Sequence, residues 1–377
     1  MKYIERYIKK DFLKKLKKGK VLLLYGARRT GKTFFLNSIQ SELKEKFIRL
    51  NGEDIYTLDL LSKRSKKNYS DWIEDNKIII IDEAQKVPDI GNILKFIVDE
   101  FPHLKLIATG SSMFDIKNKL GEPLTGRKTS MMLFPIAQLE LKHKFSTYDL
   151  KQELSDRLIF GSYPEIFHIT SKKDKIEYLK ELVSDYLLKD ILAIDGIRHS
   201  VQMFNLLKLL AYQVGQEVSL QELGNQLGMS KNTVERYMDL LSKVFIIHKV
   251  QGFSRNLRKE ITKSSKWYFY DNGIMNVFLN NFNILDRRQD VGALWENFII
   301  SERLKYQYYK RMSVNNYFWR TYTQQEIDWI EERNGKLYAY EFKWQSNKRI
   351  KAPELWTSTY SKFFKVIHSD NFLDFVS

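Results

Sequence analysis

Val21-Leu22-Leu23-Leu24-Tyr25 runs straight into Gly26-Ala27-Arg28-Arg29-Thr30-Gly31-Lys32-Thr33, and an amphipathic stretch follows. The segment from Gly26 to Thr33 fits G-x-x-x-x-G-K-[ST] between an apolar strand and a helical pattern, the setting a phosphate-binding loop requires. Its glycines let the backbone wrap closely around phosphate without Cβ clashes. Successive N–H groups and the following helix N-terminus then offer donors and partial positive charge to an anion. Residues Gly26 through Phe34 are the candidate contacts to ATP. Among them Lys32 is expected to reach the β- and γ-phosphates as a catalytic residue, and Thr33 to ligate Mg²⁺.

Outward from the loop, Ile78-Ile79-Ile80-Ile81 ends in Asp82-Glu83 about fifty residues later. A continuous apolar run is expected of a strand buried on both faces. The carboxyl ends of strands in an open α/β sheet face the ligand crevice, so these acids arrive beside the phosphate loop. Asp82 is the expected holder of the Mg²⁺ shell, and Glu83 the catalytic residue that orients or activates the attacking water. The bland alternative is a pair of acids that ends a strand and opens a helix. A third run, Leu104 to Ala108, ends in Thr109-Gly110-Ser111-Ser112, whose hydroxyls either sense the γ-phosphate or cap the next helix. Arg127 is a candidate arginine finger, in cis or from a neighbouring chain, or else a solvated loop arginine.

From Val21 to about Leu139 the runs VLLLY, FIRL, KIIIID and LKLIATG alternate with amphipathic stretches. That is the pattern of a parallel sheet with crossover helices, so the fold class is α/β with a P-loop NTPase core. A chain of 377 residues exceeds one ordinary core. We read residues 1–139 as an ATPase domain with a basic N-terminal helix and 140–200 as a helical connector. Residues 201–283 read as a winged helix-turn-helix and 284–377 as a small α/β domain. In the N-terminal helix Ile4, Ile8, Phe12 and Leu16 share one side, which packs on the next domain or docks on a membrane surface.

Ser219-Leu220-Gln221-Glu222 reads as a capping box opening a helix with Leu220, Leu223 and Leu227 on one face. Gly228-Met229-Ser230 supplies a turn. The second helix buries Val234, Met238 and Leu241 and exposes Lys231, Asn232, Arg236 and Lys243. Val244–Val250 and Trp267–Tyr270 are then wing strands, with Arg255, Arg258, Lys259, Lys263 and Lys266 at the tip to meet phosphates. The alternative is a module that only packs against the ATPase domain.

Gln325–Glu331 and Lys336–Trp344 read as strands joined through Asn334-Gly335, the strongest short-range signal for a type I′ hairpin. With Arg333 paired to Lys336, counting outward sets Asp328 opposite Glu341 and Glu326 opposite Lys343, all on one face. Carboxylates directly across a ladder, with Cβ atoms about 5 Å apart, repel one another. A divalent cation removes that conflict, so Asp328 and Glu341 are candidate metal ligands, with Glu296 of the helical GALWENFII stretch as a third. Asp328, Glu341 and Lys343 would then be catalytic, Lys343 positioning water or stabilising charge on a scissile phosphate. Otherwise this is an ordinary hairpin in which Glu326 pairs with Lys343.

The formal charge of +16 points to a polyanionic partner, nucleic acid (DNA ahead of RNA) or an anionic membrane surface. With no cysteine, disulfides and thiolate zinc sites are excluded. No run reaches the roughly 18 apolar residues of a membrane span, and the default expectation is a cytoplasmic protein.

Together these stretches, with ATGSS, LTGRK, LFPIAQLE, FGSYPE and GMSKNTVERYMDLL, resemble the predicted AAA-type ATPases of bacteria and archaea. Those proteins carry a winged helix and a restriction-endonuclease-like, PD-(D/E)xK, C-terminal domain. The resemblance covers nearly the whole chain. It implies an AAA-type core, and it makes Asp328, Glu341 and Lys343 look like the D…E-x-K nuclease pattern with Glu296 as the acid of the preceding helix. Such ATPases often need a neighbouring subunit, so a homo-oligomer stays open. Two functions remain: ATP turnover coupled to nucleic-acid cleavage or remodelling, and a nucleotide-controlled switch whose C-terminal domain binds without cutting.

Overall fold

The computed structural model describes residues 4–111, 124–187, 200–254, 265–346 and 350–377, and its strands form two separate sheets. The first is parallel: β1 (Lys20–Tyr25), β2 (Phe47–Asn51), β3 (Ile78–Asp82), β4 (Lys105–Gly110) and β5 (Lys128–Met132), in the order β2-β3-β4-β1-β5. Every residue of β3 is buried, as its unbroken apolar run demands of a strand covered on both faces. Helix Ile90–Glu100 covers one side with Ile93, Leu94 and Ile97. The sequence reading missed β5. Lys128-Thr129-Ser130 carries no apolar pattern and only Met131 and Met132 are buried, which suits an edge strand.

Helix Lys32–Gln40 starts where the chain leaves the phosphate loop and buries Phe35, Leu36 and Ile39. The N-terminal helix, Lys9–Lys15, sets the buried Phe12 ring edge-on to Phe35 at 5.1 Å. Its apolar side is therefore spent on packing, the first of the two expectations. Residues Glu5–Pro135 make one compact unit, and Ile136–Ser377 belong to the other.

The second sheet joins β6 (Glu217–Val218), β7 (Ile247–Gly252), β8 (Ser265–Phe269), β9 (Asn315–Arg320), β10 (Glu326–Arg333), β11 (Lys336–Phe342) and β12 (Phe364–Ile367). Their order is β12-β11-β10-β9-β7-β8-β6. β7 pairs antiparallel with β8, as expected of a wing, but its other edge pairs parallel with β9 through Gln251–Tyr317 and Gly252–Phe318. Satisfying that edge fuses the segments expected to be separate domains, 201–283 and 284–377, into one sheet. The strand pair read as a wing lies inside it, with β9 on one side and β6 on the other.

Helices Leu220–Leu227 and Lys231–Lys243 follow one another through Gly228, in the left-handed region at φ 64°. Ser219 and Ser230 cap them, accepting from Glu222 N at 3.3 Å and Thr233 N at 3.1 Å. The Asn334-Gly335 turn has φ of 50° and 72°, and Arg333 pairs with Lys336 as counted. Among the described residues, no helix is long and apolar enough to cross a membrane.

Candidate functional site

The loop after β1 is shaped by close backbone contacts. A Cβ on Gly26 would stand 2.2 Å from the Leu133 carbonyl oxygen, so only glycine fits there. Thr30, fully buried, donates its hydroxyl to Ala27 O at 2.8 Å and closes the turn. Gly31 sits at φ 91° and leads into the helix, with Arg29 also left-handed at φ 62°. Lys32 is 5 % exposed and folds over its own loop, donating to Gly26 O at 3.0 Å and Ala27 O at 3.1 Å. Its ammonium thus lies inside the ring of backbone rather than in solvent. Thr33 and Phe34, at the start of the helix, are exposed.

β4 lies between β1 and β3, so the acidic strand tip stands two strand spacings, roughly 10 Å, from the loop strand. Thr109 at the end of β4 bridges that gap. Its hydroxyl donates to Asp82 Oδ1 and accepts from the Glu83 N–H at 3.1 Å, so it joins strand tips and is not spent on a helix cap. Asp82, 4 % exposed, also takes an ion pair from Arg49 Nη2 at 2.6 Å. Glu83 is half-buried and left-handed at φ 49°, a conformation costing a non-glycine residue about 1–2 kcal/mol. Gln85 Nε2 donates to Glu83 Oε2 at 2.5 Å. Oxygen donors at Thr33 and Asp82 are of the kind Mg²⁺ prefers. Ser112 lies outside the described residues.

Arg127 stands elsewhere. Its carbonyl accepts from Val21 N at 2.9 Å, which places it at the amino-terminal edge of the sheet, where Nε pairs with Asp99 at 2.7 Å. The length of β1, about 16 Å, separates it from the loop of its own chain. The cis version of the arginine-finger expectation is incompatible with that placement.

In the other unit the hairpin register holds from Arg333–Lys336 to Trp329–Tyr340 and the ladder stops there. The β9 side of β10 shifts register between Ile327 and Ile330, and Asp328 uses its carboxylate to accept the Phe342 N–H at 2.7 Å. This break is why the outermost expected pair fails. Glu326 does not meet Lys343; it pairs with Lys266, while Lys343 pairs with Glu341 at 2.7 Å. Glu296, on helix Val291–Tyr309, accepts from Tyr268 Oη at 2.7 Å and lies 3.8 Å from Lys266 Nζ.

Burial, then repulsion from Asp328, pushes Glu296 up to about 8 and Glu341 up to about 7. Burial also raises Asp328, against the pull of Lys266 and Lys343. Burial alone would lower Lys266, but Glu296, Asp328 and Glu326 more than offset it and raise it. Among the described residues, no three His, Cys, Asp or Glu side chains are grouped so as to hold a metal ion. The three acids expected as ligands have other partners here: Lys266 and Tyr268 for Glu296, the Phe342 N–H for Asp328 and Lys343 for Glu341.

Residues 18–142 match a family model described as an AAA domain. A Walker-type ATPase of Pyrococcus abyssi is similar in structure at 17 % identity and a TM-score of 0.52, over 74 % of this chain and 96 % of that one. Residues 18–142 thus have an AAA-type, ATPase-like P-loop fold. Residues 151–284 and 291–368 match models described as domains of unknown function, DUF8612 and DUF4143. An uncharacterized protein of Mycobacterium tuberculosis is 27 % identical over 279 residues, 72 % of this chain and 60 % of its own length. One from Methanocaldococcus jannaschii is 26 % identical over 335 residues, 82 % and 74 % of the two chains. The match thus spans about three-fifths of the mycobacterial relative.

Sequence reasoning missed Arg49, whose signal was a lone cation in the apolar FIRL run of the parallel sheet. It also misplaced Lys266. Taken as a phosphate-contacting tip residue, Lys266 lies on β8 at 1 % exposure between Glu296 and Glu326, where no phosphate reaches it. The other tip residues, Arg255, Arg258, Lys259 and Lys263, lie outside the described residues. On helix Lys231–Lys243, Lys231, Asn232, Arg236 and Lys243 are exposed as expected. Glu235 and Asp239 share that exposure, and Asp239 pairs with Lys243 at 2.6 Å.

Proposed function

We propose that this chain is a Mg²⁺-dependent ATPase, with Gly26–Phe34 holding the nucleotide and Lys32 neutralising its β- and γ-phosphates. The observation that carries the reading is a row of neighbouring strand tips in one sheet: β1 leads into the loop that wraps Lys32, Thr109 ends the adjacent β4, and its hydroxyl bonds to Asp82 and the Glu83 N–H. Mg²⁺ would be held from Thr33 and, through its water shell, Asp82, and would supply charge neutralisation on the phosphates. Glu83, fixed at its backbone by Asp82 and Thr109, positions the attacking water and receives its proton. Lys32→Ala should abolish binding of a fluorescent ATP analogue. Glu83→Gln should bind it as well as the parent and hydrolyse ATP at least about 100-fold more slowly. Hydrolysis at the parental rate in either variant refutes the assignment.

For the second unit, the lysines against Glu296, Glu326 and Glu341 favour a nucleic-acid-binding region that does not cut. The exposed Lys231 and Arg236 and the charge of +16 support the partner class. The expected result is ATPase stimulation by DNA with no Mg²⁺- or Mn²⁺-dependent cleavage. Cleavage that disappears in Asp328→Ala and Glu341→Ala would overturn this in favour of a nuclease.

A further inference from the structure

The residues matching the AAA domain begin at residue 18, yet a side chain from before that point reaches the phosphate loop. Arg6 is 4 % exposed. Its Nη1 donates to the carbonyl of Thr30 at 2.8 Å, and its Nη2 donates to the carbonyl of Phe134 at 2.5 Å. The fork of one guanidinium therefore ties the middle of the loop to the chain just past β5. That second anchor matters, because the neighbouring carbonyl, Leu133 O, is the atom that crowds Gly26.

A peptide unit is planar and trans, so its C=O and N–H point in opposite directions. Holding Thr30 O on the Arg6 side turns the Gly31 N–H of the same peptide to the opposite side. A phosphate loop works by aiming consecutive N–H groups inward at the anion. We infer that Arg6 is a positioning residue of the nucleotide site, one that presets the Thr30–Gly31 peptide for phosphate from outside the AAA domain proper. This rests on the phosphate-loop reading above. The same N-terminal segment is docked independently of the loop, through Phe12 on Phe35 and Lys9 on Glu42.

The test measures binding of a fluorescent ATP analogue and thermal melting without nucleotide, for Arg6→Ala, Arg6→Lys, Phe12→Ala and Lys32→Ala. Arg6→Ala should weaken binding at least about 10-fold. Arg6→Lys keeps charge and length but has one ammonium where two carbonyls must be spanned, so binding should stay at least about 3-fold weaker than in the parent. Phe12→Ala should lower the melting temperature more than either while binding within about 3-fold of the parent. If Arg6→Ala does not fold, Arg6→Lys carries the decision. Parental affinity in both Arg6 variants, with binding lost in Lys32→Ala, overturns the role of Arg6 alone. Parental affinity in Lys32→Ala overturns the phosphate-loop reading on which it rests.

Discussion

The two charged centres of this chain are built by opposite means. The phosphate loop is made of backbone, with Lys32 folded onto carbonyls and glycines where Cβ atoms would collide. The acidic cluster is made of side chains from several strands and a helix, and it brings its own cations, Lys266 and Lys343. A backbone cradle gains its electrostatic partner only when an anion arrives, whereas the cluster already holds two lysines against its acids. The first offers donors to an incoming anion, and the second pairs its acids internally with Lys266 and Lys343. On the function proposed above, that contrast assigns Lys32 to binding and Lys266 to structure.

Removing the two lysines is the sharpest way to break the contrast. Lys266→Met takes a fully buried ammonium away from Glu296 and from the half-buried Glu326, which keeps Arg320 at 3.9 Å, and breaking a buried pair costs about 3–5 kcal/mol. The low end, about 3 kcal/mol, is expected, because Glu296 is already pushed up to about 8 and takes a proton readily. Denaturant unfolding at neutral pH measures the loss, and adding Glu296→Gln should recover part of it. Lys32→Met should change nucleotide-free stability by under about 1 kcal/mol, since its bonds to Gly26 O and Ala27 O stay within one loop and a typical hydrogen bond is worth about that much net. Equal losses in the two variants would erase the distinction.

A smaller effect sharpens how the cluster is insulated. His248 on β7 stacks on Tyr268 with ring centroids 5.5 Å apart, and Tyr268 in turn donates to Glu296. Both ring nitrogens of His248 are buried without a hydrogen-bond partner, and burial pushes the imidazole down to about 3 from an ordinary value of 6.5. A folded value below the unfolded one means the unfolded chain binds more protons between those limits. Stability is therefore whole above pH 6.5 and falls as the solution is acidified towards pH 3. From pH 6.5 to 5 the loss attributable to His248 approaches about 2 kcal/mol. His248→Phe should flatten that part of the acid limb in a pH series of urea melts. An unchanged limb would mean that His248 charges without penalty.

The same contrast explains what could be read in advance. Loop residues were legible because backbone geometry imposes glycines at fixed spacing, and β3 because double-sided burial leaves an unbroken Ile78–Ile81 run. The Asn334-Gly335 register was legible because the turn fixes it, up to the irregularity at Ile327–Ile330 that no residue pattern announced. Lys266 and Arg49 were not legible as partners of acids. Each is one cation in an apolar run, and its counter-charge lies 60 residues away for Lys266–Glu326 and 33 for Arg49–Asp82. Nor did the sequence show that β7 continues into β9, since parallel pairing at that edge uses backbone groups that every residue carries.

Arg127 carries the smallest stability effect and decides whether the backbone-built site is complete within one chain. It is half exposed and paired with Asp99, so Arg127→Ala should cost under about 0.5 kcal/mol, as surface pairs do. Its place at the amino-terminal edge of the sheet keeps it from its own chain's phosphates, so nucleotide affinity measured in dilute solution should not change. If a neighbouring copy supplies this guanidinium to the transition state, the specific ATPase rate of the parent rises with protein concentration and that of Arg127→Ala stays flat. Mixing Arg127→Ala with Glu83→Gln should then restore activity, because each chain carries what the other lacks. Flat rates for the parent as well would leave the loop, Thr109 and the Asp82-Glu83 pair as a site that one chain completes alone.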